Sequence, residues 1–168
     1  MDESLQYKFN IKLTAKELWQ FSMYHANRGF TGIFNIFITI FALGVLVFRW
    51  EMFSMVYRLL LVLCALSFTV LQPILLYVKA ARQVKTSAVK EPMELEFTIK
   101  GILIRQSGNE MEVAWEQVGR AEKTSHILVF YMDRIRAYLL PRNLLGEREN
   151  EFYEFLRQVL PKERRKKI

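Results

Sequence analysis

The chain has 168 residues, 52% of them hydrophobic and 24% charged, with a formal net charge of +7. An apolar excess beside ordinary charge means that the two are segregated along the chain, which excludes a wholly disordered protein and a plain soluble globule. One cysteine, Cys64, excludes an intrachain disulfide and a multi-cysteine zinc site, and two histidines, His25 and His126, leave little for metal chemistry.

The first predicted element is a strand. Tyr7, Phe9, Ile11 and Leu13 alternate with Lys8, Asn10 and Lys12, the period of a half-buried strand. An isolated strand is unstable in water, so Tyr7–Leu13 is expected to pair with a sheet further along the chain. Thr14-Ala-Lys-Glu17 reads as a capping box, and the helix after it carries Leu18, Phe21 and Tyr24 on one stripe beside Trp19.

From Gly29 to Phe48, and again from Leu59 to Val78, no residue is charged. Runs of this length, apolar all round, predict two membrane spans at about 30–48 and 59–78. Charged, patterned sequence precedes the first run and no small-residue cleavage site follows it, so both spans are expected to remain in the mature protein. The short connection Arg49–Arg58 makes them an antiparallel hairpin, with Trp50 and Tyr57 at the interface. Lys8, Lys12, Lys16 and Arg28 precede the hairpin, and Lys79, Arg82, Lys85 and Lys90 follow it. Only Arg49 and Arg58 lie between the spans. That asymmetry predicts a multi-pass cell-membrane protein with both termini in the cytoplasm.

Polar groups inside the spans are few. Asn35 and Gln72 fall at one depth in an antiparallel hairpin and are expected to hydrogen-bond to one another. Gly44 falls level with Leu63–Ala65, where small residues permit close approach, and Pro73 is expected to kink the second span. No ionisable group lies within either span, so nothing there supports a transport path.

After a basic connection at 79–92 the pattern turns to strands. Met93, Leu95, Phe97 and Ile99 alternate, Lys100-Gly101 marks a turn, and Ile102–Gln106 follows. After Ser107-Gly-Asn109 comes the alternation of Met111, Val113 and Trp115. Val118–Lys123 is a weaker strand, and His126–Met132 and Ile135–Leu140 flank a turn at Asp133-Arg134. The period then becomes helical through Leu145, Phe152, Phe155, Leu156 and Val159. Short antiparallel strands followed by one amphipathic helix predict a curved sheet or partly open barrel, with the helix in its apolar opening.

Three segments carry a resemblance: Glu94-Leu-Glu-Phe-Thr-Ile-Lys-Gly-Ile-Leu-Ile104, Met111-Glu-Val-Ala-Trp-Glu-Gln-Val118, and Ala137-Tyr-Leu-Leu-Pro-Arg142 before the last helix. Together with the hairpin they resemble the YcxB-like family of bacterial membrane proteins. The resemblance implies an α+β membrane protein: a two-span transmembrane hairpin plus a small antiparallel pleckstrin-homology-like (PH-like) domain capped by a C-terminal helix. The expected organisation is a strand and helix at 1–28, the hairpin at 29–78, the connection at 79–92, the cytoplasmic PH-like domain at 93–161 and a basic tail at 162–168. The resemblance transfers no functional residue.

No catalytic, cofactor or metal constellation stands out. Ser125, His126 and Asp133 lack anything that would position a nucleophile or an oxyanion hole, and no glycine-rich phosphate loop occurs. Residues 79–160 hold 13 bases and 12 acids, too balanced for a nucleic-acid face. The remaining signal is cationic: Lys79, Arg82 and Lys85 after the second span, and Lys162, Arg164, Arg165, Lys166 and Lys167 in the tail. These are the expected contacts for anionic lipid headgroups, with the tail mobile and dispensable for folding. The expected function is a non-enzymatic membrane protein presenting a protein- or lipid-interaction module at the inner leaflet. Its partners would be the bilayer, anionic lipid, and an unidentified protein or further copies of itself, without nucleic acid or cofactor. The alternative is a small self-protection, immunity or envelope-stress protein acting through its hairpin.

Overall fold

The computed structural model describes residues 6–133 and 136–168, with backbone only at 87 and 88. The chain forms two compact units, Leu18–Gln83 and the combination of Met1–Glu17 with Val84–Ile168. The N-terminal strand thus folds with the C-terminal module, and most of the helix that follows it belongs to the other unit. Arg134 and Ile135, in the expected turn and the start of its second strand, lie outside the described residues.

The split unit contains two sheets. In the first, β1 (Tyr7–Ile11), β2 (Met93–Phe97), β3 (Gly101–Gln106) and β4 (Asn109–Ala114) run in that order, all antiparallel. The expected pairing of the N-terminal strand is present, with Tyr7 opposite Phe97 and Ile11 opposite Met93. The second sheet has the order β7 (Ala137–Pro141), β6 (Ile127–Tyr131), β5 (Arg120–Lys123), β8 (Arg165–Lys166). Here β5 and β8 are parallel, and the other neighbours are antiparallel. Ser107 and Gly108, at φ 53° and 78°, supply the left-handed backbone of the two-residue β3–β4 turn. Gly101 answers a different need: a Cβ there would stand 2.3 Å from the Val113 carbonyl oxygen.

The core is aromatic. After the one-turn helix α5 (Ser87–Lys90) ahead of β2, helix α6 (Glu149–Val159) buries Phe152, Phe155 and Leu156 of the expected stripe and Tyr153 beside them, while Val159 is half-buried. The Phe152 ring meets Tyr7 and Phe97 edge-on, each at 5.0 Å between centroids. Phe97 also lies 5.1 Å from Phe130 of the second sheet, so one side chain joins both sheets and the helix. Such edge-to-face pairs contribute about 1 kcal/mol each beyond the area they bury. Trp115 is buried and donates its indole N–H to the Thr98 carbonyl at 2.9 Å.

The continuous unit holds most of α1 (Ala15–Ala26), then α2 (Phe30–Phe48), α3 (Met55–Leu66), a π-helical stretch (Ser67–Leu71) and α4 (Gln72–Gln83). The start of α1 is fixed by Glu17, whose carboxylate accepts the Thr14 N–H at 2.6 Å and hydroxyl at 2.7 Å. Among the described residues, Phe30–Phe48 and Met55–Gln83 are two helices long and apolar enough to cross a membrane, and they expose most of their residues. The second starts earlier and runs further than the uncharged stretch Leu59–Val78, because Tyr57, Arg58, Lys79 and Arg82 are ordinary helix formers outside an apolar run.

One expectation about close packing within this unit fails. Nothing lies within 4 Å of a Cβ placed on Gly44; the small buried residues of the two helices are Gly32 and Ala42 on α2, Ala65 on α3 and Ala80 on α4. A Cβ on Gly32 would stand 2.1 Å from the Asn27 carbonyl oxygen, so glycine is required there instead. Pro73, where a kink is expected, lies just past a π-helical stretch. A proline N has no proton for the i−4 carbonyl, and its ring crowds that carbonyl. The strain is absorbed just upstream, where the helix widens over Ser67–Leu71 and the Gln72 N–H bonds the Ser67 carbonyl, five residues back.

Candidate interaction sites

The expected lipid-contacting bases divide into two groups. Lys79, Arg82 and Lys85 are exposed, as are Lys162 and Lys167. The other three belong to an ordered segment. Lys162–Arg164 forms a 3-10 turn, and Arg165–Lys166 forms β8 against β5, with Ala121 opposite Arg165 and Glu122 opposite Lys166. The expected mobile tail is therefore corrected: it is part of the folded unit.

The cause is chemical. One Arg164 guanidinium nitrogen donates to the carbonyls of Trp115 (3.3 Å), Glu116 (2.8 Å) and Val118 (3.3 Å), at the bend between β4 and β5. Glu122 alternates away from Ala121, which faces the aromatic core, and its side chain is 0% exposed. A buried carboxylate needs opposite charge close by. Glu122 has Lys166 at 3.1 Å on one oxygen and Arg120 at 3.3 Å on the other. Ile168 packs against the hydrophobic core. Five bases in six residues, with no apolar side chain among them, read in the sequence as a mobile run facing anionic lipid. The missed signal was Glu122, a carboxylate in a short strand that also carries Arg120, Ala121 and Lys123.

The outer side of the first sheet carries an ionic network centred on Arg105. Its guanidinium reaches Glu110, Glu94 and Glu96, each at 2.7 Å, and Lys8 meets Glu94 at 2.9 Å. These residues lie on three neighbouring strands and on β1 because alternate positions of each strand share one face. Glu110, then Glu94 and Glu96, raise the Arg105 pKa, and Lys8, then Arg105, hold the Glu94 carboxyl below its ordinary value. Near α6, the Glu149 carboxyl is lowered first by the Tyr153 hydroxyl and then by Arg142, whose Nε donates to it at 2.6 Å.

The polar residues of the helical hairpin are also rearranged relative to expectation. Asn35 and Gln72 do not bond one another. The Asn35 amide donates to Asn27 Oδ1 at 3.5 Å, and the buried Gln72 Oε1 has no partner among the described residues. The π-helical widening shifts the register on which equal depth was counted. Asn27, Asn35, Ile36, Thr39 and Ile40 line a cleft of about 260 Å³ with Phe68 and Thr69 of the widened turn. Thr39 and Thr69 spend their hydroxyl protons on the Asn35 and Ala65 carbonyls, each at 3.0 Å, which leaves oxygen lone pairs for the cleft. Pro73 sits four residues past Thr69, and its carbonyl accepts the Trp19 indole N–H at 3.0 Å.

No group of three or more His, Cys, Asp or Glu side chains is placed to hold a metal among the described residues. Asp133 binds Arg136 through both carboxylate oxygens, at 2.7 Å each, so its carboxylate serves the β6–β7 connection.

Residues 97–156, from the end of β2 into α6, match the family model described as YcxB-like protein. This is the family that the sequence resembles, and the match includes the Trp115 and Ala137–Arg142 segments. No curated protein and no solved structure matches the chain.

Proposed function

We propose that this chain, with its YcxB-like segment at 97–156, is a non-enzymatic integral membrane protein that presents a PH-like interaction module at the cytoplasmic leaflet. The observation that carries the proposal is the β1–β2 ladder. The chain leaves the folded unit after β1 and re-enters it at β2, with both membrane-length helices between. An even number of spans returns the chain to the side it left, so one module can contain both strands only as a hairpin insertion. The basic residues on either side of the hairpin favour the cytoplasm for that side. Among the described residues, seven strands in two sheets before a C-terminal helix support the PH-like reading, with the hairpin entering between the first and second strands.

Anionic lipid is the proposed surface partner, through the exposed Lys79, Arg82, Lys85, Lys162 and Lys167, each worth roughly 1 kcal/mol near a charged leaflet. Arg164 and Lys166 are committed within the module, Arg165 lies in the same strand with its Nε buried, and all three drop out of this set. Orientation is tested in intact cells with the full chain in a Cys64→Ala background. Ser54→Cys should react with an impermeant thiol reagent and Lys162→Cys should not; the reverse pattern overturns the reading. In vesicles carrying anionic lipid, Lys79→Glu with Arg82→Glu should reduce the salt-sensitive enrichment of that lipid around the protein.

The cleft at Asn35, Thr39 and Thr69 favours a second reading, self-protection through the hairpin. Thr39→Val with Asn35→Leu would then abolish protection while leaving the module folded.

A further inference from the structure

Resting on the reading of both helices as membrane-inserted, we propose that the cleft between α2 and the π-helical stretch binds a neutral, hydroxyl-bearing amphiphile from the bilayer, of the diglyceride or long-chain alcohol kind. Asn35 carries the site. It is 5% exposed and lines the cleft, yet its amide makes one bond, to Asn27 Oδ1 at 3.5 Å, and its Oδ1 accepts none among the described residues. A carboxamide in hydrocarbon needs partners, because no bulk water is there to supply them. The Thr39 and Thr69 hydroxyls donate to the carbonyls of Asn35 and Ala65, so toward the cleft they present lone pairs. The lining therefore offers acceptors from two threonines, and both an acceptor and an N–H from Asn35.

That inventory selects the occupant. A hydroxyl both donates and accepts, so it can satisfy a threonine oxygen and Asn35 together. A phosphate or carboxylate brings only further acceptors, which the threonine oxygens repel. An ammonium would be a charge without a counter-charge, since no lining residue is ionisable and charge inside a membrane is costly. Ile36, Ile40 and Phe68 complete the apolar part of the lining, and Ile36 and Ile40 are 63% and 65% exposed. The cleft thus opens along the outer surface of α2, where an acyl chain can follow it out. Its volume of about 260 Å³ compares with about 30 Å³ for one water in the liquid, which leaves room for a hydroxyl head and its first carbons. Along the helix axis Asn35 and Thr39 lie about 8 and 14 Å past Phe30, the first residue of α2. An uncharged head can descend to that depth, and a charged one cannot without losing its hydration.

The test places the full chain in phosphatidylcholine vesicles with a diglyceride that carries a photoreactive diazirine on one acyl chain, close to the ester. Saturable crosslinking is expected, with adducts in peptides that cover residues 27–40 and 68–69. Unlabelled dioleoylglycerol should displace the probe. Its acetyl ester, which lacks the hydroxyl, and dioleoyl phosphatidic acid should each do so at least tenfold less well. Oleyl alcohol separates the two sources. Competition by it assigns the site to a hydroxyl on a single chain, failure to compete assigns the site to the diglyceride, and both outcomes support the proposal. Thr39→Val with Thr69→Val should cut crosslinking at least fivefold, and Thr39→Ser with Thr69→Ser should retain it. Equal competition by the acetyl ester or by phosphatidic acid, or indifference to the valine pair, overturns the proposal. So does a cleft that only water enters, read as crosslinking that dioleoylglycerol does not displace. A non-selective apolar diazirine reagent controls for insertion and should label both helices equally in the unaltered chain and the valine pair. Should the valine pair fail to insert, the competition series on the unaltered chain decides. Labelled helices without saturable diglyceride crosslinking refute the cleft alone; unlabelled helices refute the membrane reading together with it.

Discussion

Tyr7 stands opposite Phe97 in the β1–β2 ladder, and both rings close on Phe152 of α6. The two strands are separated in sequence by the whole helical hairpin, yet Tyr7 is only 2% exposed. Arg148 lies over the same tyrosine ring, 4.6 Å from its centroid. Strand β1 is therefore as much a part of the core as α6.

Tyr7→Ala should cost about 3 kcal/mol, the usual penalty for emptying a buried aromatic site. Thermal unfolding of the detergent-solubilised chain, followed by near-ultraviolet circular dichroism, measures it. A change below about 0.5 kcal/mol would mean that β1 is not integral to the module.

Lys166→Ala should destabilise the module by about 2 kcal/mol, since it removes one of the charges that face the buried Glu122. Adding Glu122→Gln should recover part of that loss, because the buried group is then neutral. A double variant whose losses simply add would show that the two residues are not coupled.

Pro73→Ala restores a backbone N–H and removes the ring that crowds the preceding turn. The widened turn at Ser67–Leu71 should then tighten toward ordinary α-helix and narrow the cleft beside Thr69. In a Cys64→Ala background, a Thr69→Cys probe should label more slowly with a lipid-soluble thiol reagent once Pro73 is replaced. Unchanged labelling would place the origin of the widening elsewhere.

Acid should weaken the fold through Glu149, Glu94 and Glu151. Tyr153 and Arg142 lower the first, Lys8 and Arg105 the second, and Arg148 chiefly the third. A carboxyl with a depressed folded pKa binds its proton more readily in the unfolded chain. Its stabilisation is present above the ordinary value of 4.5 and is lost as pH falls through the lower folded values. Melting temperature should therefore fall as pH drops below about 4.5. Glu149→Gln should flatten that decline, and an unaltered pH slope in the variant would remove Glu149 from the account.

Pattern periods alone determined a good deal here. The alternation at Tyr7–Leu13, the uncharged run at 30–48, the turns at Ser107-Gly108 and the stripe of Phe152, Phe155 and Leu156 each reappear as the expected element. They do so because local periodicity and burial are set by the same side chains. The need of Tyr7, Phe9 and Ile11 for an apolar partner was likewise legible, and the pairing with β2 meets it. What only the tertiary structure decided concerns polar groups, whose partners are chosen in space. Lys166 reads as a solvated base until the chain brings Glu122 beneath it, and Arg164 until three carbonyls converge on one guanidinium. Asn35 and Gln72 share a depth on a regular helix, but Pro73 widens the turn before it and changes the register. A hydrophobic face needs only some apolar cover, which a sequence can announce. A buried charge or amide needs one particular partner at bonding distance, and that is fixed only when the chain has closed.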